Sequence, residues 1–223
     1  MVQRPRLVLL GKQGAGKGTQ ARRLADHYEV VHLSTGELFR AQAEAGTLKG
    51  LEAKSYMDEG QLVPDDVVVA VVEECLRPGA PLAEGFVLDG FPRTLAQAEE
   101  LDRIIGEHPL DVVIDLNVPT EVVMDRLAGR RVCKNCQRVY HVNMPPTTPW
   151  VCDTCGGEVV QRDDDTPAAI AIRLDLYDQE TVPIIEYYRE RGQLVAVDGV
   201  GTGDDVFDRL VRVVDERTKS PAA

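Results

Sequence analysis

Short apolar runs alternate along the chain with longer segments in which apolar residues recur at helical spacing. Each run is three to five residues long and almost wholly apolar, which is typical of a parallel strand covered by helices on both faces. Strands that alternate with helices predict an α/β fold. The predicted strands are residues 7–10, 30–33, 86–88, 112–116 and 194–197. The pattern therefore predicts a five-stranded parallel β-sheet flanked by helices.

Several helical segments begin with residues that favour a helix start. Ser34 followed by Glu37 fits a capping box. Pro119 and Pro167 each fit the first position of a helix, and Thr166 is a suitable cap before the second of them.

The segment 131–165 interrupts the alternation. It has little helical period, contains a cluster of prolines and carries four of the five cysteines. We interpret it as a subdomain inserted into a single domain of 223 residues. After it, residues 168–188 have the spacing of one long helix, which we expect to break near Pro183.

The chain is acidic, with a formal net charge of −12. A surface of that sign repels nucleic acid and anionic lipid, so neither is an expected partner. The sequence contains no apolar stretch long enough to cross a membrane or to form the apolar part of a signal peptide. We therefore expect a cytoplasmic protein. Arginines that converge in such a chain indicate an anionic ligand.

A glycine-rich segment joins the first predicted strand to the next helix. Its sequence over residues 11–19 is Gly-Lys-Gln-Gly-Ala-Gly-Lys-Gly-Thr. Glycines let the backbone turn so that several N–H groups face one point, and the helix N-terminus adds positive potential there. Lys17 supplies a mobile charge for the β and γ phosphates of a nucleoside triphosphate. The predicted phosphate-binding residues are Gly14, Ala15, Gly16, Lys17, Gly18 and Thr19.

Three further segments lie at or after predicted strands and helices. Leu-Ser-Thr-Gly-Glu-Leu-Phe-Arg covers residues 33–40, Gly-Gln-Leu-Val-Pro covers residues 60–64, and Phe-Val-Leu-Asp-Gly-Phe-Pro-Arg-Thr covers residues 86–94. Together with the phosphate loop, in which a glycine follows Lys17, these segments resemble the adenylate kinase family over nearly the whole chain. The resemblance implies a monomeric enzyme that catalyses ATP + AMP = 2 ADP.

The resemblance also implies a division of the chain. Residues 34–63 correspond to an AMP-binding helical insertion, residues 129–166 to a zinc-binding lid, and the remainder of residues 1–223 to the CORE. Asp89 corresponds to the carboxylate that orders Mg²⁺, carried with ATP, through water. The residues implied for AMP binding are Thr35, Arg40, Gln61, Leu62, Val63, Gly90, Phe91, Pro92, Arg93, Gln97, Arg162 and Arg173.

Some of these side chains have a chemistry that suits the implied role. Gln97 carries both a hydrogen-bond donor and an acceptor, so it can read the edge of a base. Arg40 and Arg93 offer bidentate donors for the AMP phosphate. The peptide bond between Phe91 and Pro92 is implied to be cis.

On the ATP side, the resemblance implies contacts from further along the chain. Arg126 and Arg130 are four residues apart, so we expect them on one helix face. Asp164 and Asp165 correspond to acids that pair with arginines when the lid closes. The ATP contacts beyond the phosphate loop are Arg126, Arg130, Val139, Tyr140 and Gly201. The implied catalytic residues are Lys17, Asp89, Arg93, Arg130, Arg162 and Arg173.

Two alternatives to AMP phosphorylation stay open at this stage. A UMP/CMP kinase shares the phosphate machinery, although Thr35, Gln97 and the long lid favour AMP. An ATPase with a nucleic-acid-binding zinc ribbon would belong to a different class.

The sequence also departs from the family at Lys12 and Gln13, where the family often has a small residue and proline, and at Asp163, which adds a third acid after an arginine.

Four cysteines form two close pairs. Cys133 and Cys136 make one Cys-x-x-Cys element, and Cys152 and Cys155 make another 15 residues on. This spacing fits tetrahedral zinc, and four thiolates leave no position for a substrate, so the site would be structural. Two disulfides are the alternative, which a reducing compartment disfavours. The remaining cysteine, Cys75, has the spacing of a core thiol.

Overall fold

The five predicted strands form one parallel sheet in the computed structural model, which describes residues 4–77, 79–80 and 82–219. The ends of the predicted domain, residues 1–3 and 220–223, lie outside the described residues. The strand order in the sheet is β2-β3-β1-β4-β8. The strands are β1 (Arg6–Leu10), β2 (Val31–Ser34), β3 (Phe86–Asp89), β4 (Val112–Asn117), β5 (Arg130–Cys133), β6 (Val139–His141), β7 (Val159–Val160) and β8 (Leu194–Asp198). The predicted architecture is thus confirmed.

Helices cover both faces of this sheet. They are α1 (Lys17–Tyr28), α2 (Thr35–Glu44), α3 (Leu48–Asp58), α4 (Asp65–Leu76), α5 (Leu95–Ile105), α6 (Thr120–Ala128), α7 (Pro167–Leu176), α8 (Val182–Glu190) and α9 (Gly203–Lys219). On β1, Leu7 and Leu9 pack with α1, α6, α7 and α9, whereas Val8 and Leu10 pack with α2 to α5 and α8. Because successive side chains of a strand point to opposite faces, one apolar run fills two cores.

Most of the predicted helix starts are confirmed. The Ser34 hydroxyl accepts from the backbone N–H of Glu37, and the Thr166 hydroxyl accepts from that of Ala169, with a proline at the helix start after Thr166. The prediction for Pro119 was wrong by one position. Its extended backbone (ψ 143°) makes it the residue before α6, which begins at Thr120.

The long C-terminal helical segment breaks where it was expected to. A π-helical turn, Tyr177–Thr181, separates α7 from α8 and ends just before Pro183. Proline has no N–H to continue an α-helical ladder, which accounts for the break at this point.

Two smaller units flank the carboxyl end of the parallel sheet. The first, which we call the helical insertion, consists of α2 and α3. These helices approach closely at Gly50, where an added Cβ would lie 2.3 Å from the backbone of Gln42. The second, which we call the small sheet, is antiparallel with the strand order β6-β5-β7. Its buried cluster consists only of Cys133, Tyr140, Cys152 and Val159.

Within the described part of the chain, none of the helices combines the length and the apolar character that a membrane span requires.

Candidate active site

The phosphate loop lies between β1 and α1. Its Gly14 and Gly16 have φ of 83° and 104°, a backbone region that favours glycine. Gly16 is the residue before α1 and offers no side-chain cap, so the first N–H groups of the helix are available to an anion. The loop therefore has the geometry of a phosphate cradle.

Lys17 is held inside this loop. Its Nζ donates to the carbonyl oxygens of Gly11 and Lys12 at 2.6 and 3.0 Å. Burial lowers the pKa of Lys17 to about 8, although nearby Asp89 acts in the opposite direction. Lys12, in contrast, donates to the Thr120 hydroxyl at 2.6 Å. It therefore points towards the start of α6.

The carboxyl end of β3 carries a second group of predicted residues. Asp89 is buried there, and Arg93 donates from Nε to the carbonyl of Gly90 at 2.9 Å. That carbonyl also accepts from the Thr35 hydroxyl at 2.9 Å. Arg93 is exposed to the cavity but enclosed by protein, and this burial lowers its pKa. The charge of Arg93 is thus held close to the phosphate loop.

The Phe91–Pro92 peptide bond is cis, as predicted. Phe91 is among the residues that the resemblance implies for AMP binding, but its ring is 1% exposed and packs in the core, so its side chain does not line the cavity. Burial in the core stabilises an apolar ring, and of these two residues Pro92 is the one that lines the cavity.

Arginines around the same space are paired with buried acids. Arg162 and Arg173 both bind the Asp164 carboxylate, and Arg130 binds Asp165. Burial by itself would raise the pKa of Asp164, but the two arginine charges outweigh it and hold the pKa well below its usual range. In the part of the chain that the structure describes, Arg40 makes no ion pair of this kind, although the charges of Asp164 and Glu37 lie near it. Its buried Nε has no hydrogen-bond partner among the described residues.

The expectation that Arg126 and Arg130 share a helix face was wrong. Helix α6 ends at Ala128, and Arg130 is the first residue of β5. Gly129 lies between them, where an added Cβ would be 1.9 Å from His141 Nε2. The chain turns into the small sheet at this glycine. Arg126 stays on the helix and donates to the carbonyls of Ala15 and Gly199.

These groups surround one cavity of about 950 Å³. One end of it is lined by all of the predicted phosphate-loop residues and by Arg126, Arg130, Val139, Tyr140 and Gly201. The other end is lined by Arg40, Gln61, Leu62, Gly90, Pro92, Arg93, Arg162 and Arg173. A cavity of about 30 Å³ adjoins it and is lined in part by Thr35, Val63 and Gln97. All the predicted site residues except Phe91 and the cysteines, Asp89 included, therefore line one of these two spaces.

The structure adds residues that the sequence did not single out. Arg22 binds Glu37 at the edge of the large cavity, and Asn143 and Thr202 line the end that holds the phosphate loop. Asp65 contacts Gln97 beside the small cavity. The sequence signal was weak for Asp65 and Thr202, because an acid or hydroxyl near a helix start is most often a cap. Arg22 and Asn143 belong to none of the motifs that the sequence singled out.

The four paired cysteines meet in the small sheet. Their sulfur atoms all lie within 4.8 Å of one another, with 3.4 Å between Cys133 and Cys155 and 3.6 Å between Cys136 and Cys152. All four are free thiols, so the disulfide alternative is not realised. Tetrahedral zinc with Zn–S bonds of about 2.3 Å requires S···S distances of about 3.8 Å. The quartet can therefore hold a metal ion, and its geometry fits zinc.

One of these four sulfur atoms accepts a hydrogen bond from a tyrosine hydroxyl, which favours its thiolate form. The Tyr140 hydroxyl donates to Cys152 Sγ at 3.4 Å, and this bond lowers the pKa of Cys152 to about 6, whereas burial raises the pKa of the neighbouring Cys136. The thiolate is the form that binds metal. His141 takes no part in the cluster; its Nε2 lies 3.3 Å from the carbonyl oxygen of Asp125 on α6.

The fold and the cavity together define a phosphate-loop nucleotide-binding protein of the α/β class. The chain matches the family model for adenylate kinase over residues 9–193. It is 47% identical over 215 residues to an adenylate kinase of Thermodesulfovibrio yellowstonii, covering 95% of this chain and 100% of that protein. It is 46% identical over 211 residues to an adenylate kinase of Syntrophobacter fumaroxidans, covering 93% of this chain and 99% of that protein. It is 47% identical over 211 residues to an adenylate kinase of Methanosarcina acetivorans, covering 93% of this chain and 97% of that protein. The chain belongs to the adenylate kinase family and is a nucleoside monophosphate kinase.

Proposed function

We propose that this enzyme transfers the γ-phosphoryl group of ATP to AMP, reversibly, and so balances the adenine nucleotides. The observation that carries this proposal is the convergence of cations on one cavity in a chain of net charge −12. The cations that line it include Lys17, Arg40, Arg93, Arg130, Arg162 and Arg173. Two nucleotides bound with their phosphates facing each other would place their anionic groups among these side chains.

The cavity has separate ends for the two nucleotides. In the proposal, ATP lies along the phosphate loop, with its base near Arg126, Val139, Tyr140 and Gly201. AMP lies between the helical insertion and β3, with its phosphate at Arg40 and Arg93. Its base enters the small cavity together with the adjoining part of the large one, because 30 Å³ is less than a purine ring occupies.

The chemistry requires alignment and charge neutralisation rather than a general base. A phosphate oxygen of AMP is already nucleophilic, so direct in-line attack on the γ phosphorus forms no covalent enzyme intermediate. Lys17 and the arginines neutralise the charge that is shared between the two phosphates. Mg²⁺ that accompanies ATP adds to this neutralisation, and the Asp89 carboxylate, at the end of β3 beside Gly18, would order it.

Movement of two units would control access to the cavity. We assign residues 34–63 as the AMP-binding insertion, residues 129–166 as the lid and the remainder as the CORE. Because Arg130, Tyr140 and Arg162 come from the lid, its closure completes the site and excludes water that would otherwise hydrolyse ATP.

The metal has a structural role in this proposal. Zinc bound by the four cysteines would hold the lid in shape, because its buried cluster is too small to do so alone. Free thiols in Cys-x-x-Cys pairs suit a reducing cytoplasm, where we place the enzyme, and we propose that it acts as a monomer without nucleic acid.

A coupled assay with ATP and AMP, CMP, UMP or GMP tests the proposed reaction. We expect ADP to form rapidly with AMP and far more slowly with the other monophosphates. Faster turnover of UMP or CMP would identify a pyrimidine nucleotide kinase instead. ATP hydrolysis without a monophosphate, stimulated by DNA or RNA, would indicate the zinc-ribbon ATPase.

A further inference from the structure

The amide of Gln97 is held at both of its ends. Its Oε1 accepts from the backbone N–H of Arg93 at 2.8 Å, and its Nε2 donates to Asp65 Oδ1 at 2.6 Å. The side chain is 2% exposed and lines the small cavity beside the AMP end of the site. The two contacts leave one lone pair on Oε1 and one N–H on Nε2 for a ligand.

Asp65 is itself fixed in place. Its Oδ2 accepts from the Thr94 hydroxyl at 2.8 Å, and Thr94 caps the helix that carries Gln97. Asp65 is also the first residue of α4, where a negative charge is favoured by the helix dipole. A carboxylate held in this way has only acceptor oxygens to offer Gln97.

This arrangement prevents the amide from turning over. A rotation of 180° would bring the NH₂ group of Gln97 against the N–H of Arg93, and its oxygen against the Asp65 carboxylate. Both contacts would be repulsive, and both buried hydrogen bonds would be lost. Without these two hydrogen bonds, a glutamine amide can rotate by 180° and exchange the positions of its oxygen and its NH₂ group.

We propose that Asp65 is a positioning residue that makes the acceptor site select 6-aminopurines over 6-oxopurines by fixing the orientation of Gln97. This inference rests on the proposed function, since it assumes that the acceptor base lies at Gln97. Adenine has a donor amine at C6 and an acceptor at N1, which pair with the free lone pair and the free N–H of a fixed amide. Hypoxanthine has an acceptor at C6 and a donor at N1, so it requires the reversed amide.

The inference predicts how substitution of Asp65 changes selectivity. In Asp65→Asn, the new amide can turn either its oxygen or its NH₂ group towards Gln97, so both orientations become available. In Asp65→Ala, the hydrogen bond from Gln97 Nε2 to residue 65 is lost altogether. The Arg93 N–H still favours the original orientation in both variants, so selectivity is expected to weaken rather than to invert.

The experiment measures the ratio of kcat/KM for AMP to kcat/KM for IMP, with ATP as donor. We expect this ratio to fall by about tenfold or more in Asp65→Asn, and at least as far in Asp65→Ala, because IMP gains partners that the wild-type site denies it. Asp66→Asn is the matched control. It removes an exposed acid from the same first turn of α4 and should leave the ratio unchanged.

The outcomes separate this inference from the proposed function. If wild-type enzyme does not phosphorylate AMP, the proposed function fails before Asp65 is tested. If it does, and the Asp65 variants lose activity towards AMP and IMP equally, Asp65 has only a structural role and the inference is overturned. A fall in the ratio that Asp66→Asn reproduces would also overturn it, because the helix dipole would then be the cause.

Discussion

The two sheets of this protein are stabilised in different ways, although both contribute side chains to one cavity. The strands of the parallel sheet lie between two large apolar clusters, and residues such as Leu7, Val113 and Ile114 are completely buried. The small sheet has a buried cluster of four residues, two of which are cysteines. The first sheet can be stabilised by burial alone, whereas the second buries too little for that and has four cysteines that can hold a metal ion.

This difference matches what each sheet contributes to the site. Asp89 and Arg93 stand at the end of a buried strand, on a scaffold that can hold charges in fixed positions. Arg130 and Tyr140 stand on the small sheet, which contributes no residue to either large apolar cluster, so in the proposed function it would move without disturbing either core. A site that must open for substrates and exclude water during transfer needs both kinds of support.

The largest effect is expected for a charge on the rigid scaffold. Arg93→Ala should lower kcat by about 10³-fold, because it removes a guanidinium from the phosphates in a site that is already arranged for them. The fold should be unaffected, since Arg93 is exposed to the cavity. Steady-state kinetics and thermal unfolding of the same preparation measure both quantities.

A matched control is available on the surface. Arg103 is an arginine on α5 that pairs with Glu100 in solvent, and Arg103→Ala should leave kcat unchanged. Near-normal activity of Arg93→Ala would refute its assigned role. It would also contradict the idea that the parallel sheet holds the catalytic charges in fixed positions.

The parallel sheet was the part that the sequence predicted best, for a physical reason. A strand buried on both faces must be apolar throughout, so β1 and β4 could be placed to within one residue. The strands of the small sheet are two to four residues long, which is too short to show an apolar period. The missing helical period, the prolines and the cysteine spacing marked that region as an insertion, but they did not place its strands.

The site residues divide in the same manner. Lys17 and Arg93 could be predicted as site residues, because each belongs to a sequence motif whose residue types suit phosphate binding. Asp65 could not, because it acts through Gln97, which lies far from it in the sequence, and an acid at the start of α4 already has a local explanation in the helix dipole. Arg130 was placed on the wrong element because only the structure reveals that Gly129 ends the helix against His141.

Removal of the metal is expected to have the next largest effect. Chelation should lower kcat by about 10²-fold, because Arg130 and Arg162 lose the support that aligns them. The small sheet should then lose its order at a lower temperature than the parallel sheet. Trp150, the single tryptophan of the chain, lies in the small-sheet region, so its fluorescence reports that region while far-UV circular dichroism reports the helices.

Cys75→Ser provides the control for the metal. This thiol is partly buried against the core and away from the quartet, so the variant should keep one zinc per chain, as elemental analysis would measure, whereas Cys136→Ser should not. If the tryptophan and circular dichroism transitions of the chelated protein coincide, the small sheet is not an independently stabilised unit, and the contrast between the two sheets fails.

The smallest effect is expected for an exposed contact between the two units. Asp163 lies 3.6 Å from Lys54 of the helical insertion, but its side chain is 83% exposed, and Lys54 also pairs with Asp58. Asp163→Asn should therefore change the free energy of unfolding by no more than about 0.5 kcal/mol and kcat by less than about twofold. Asp165→Asn is the comparison, because this fully buried carboxylate binds Arg130 and its loss should lower kcat clearly. Equal effects from the two variants would mean that exposed charges, rather than the buried acid–arginine pairs, govern how the small sheet closes over the cavity.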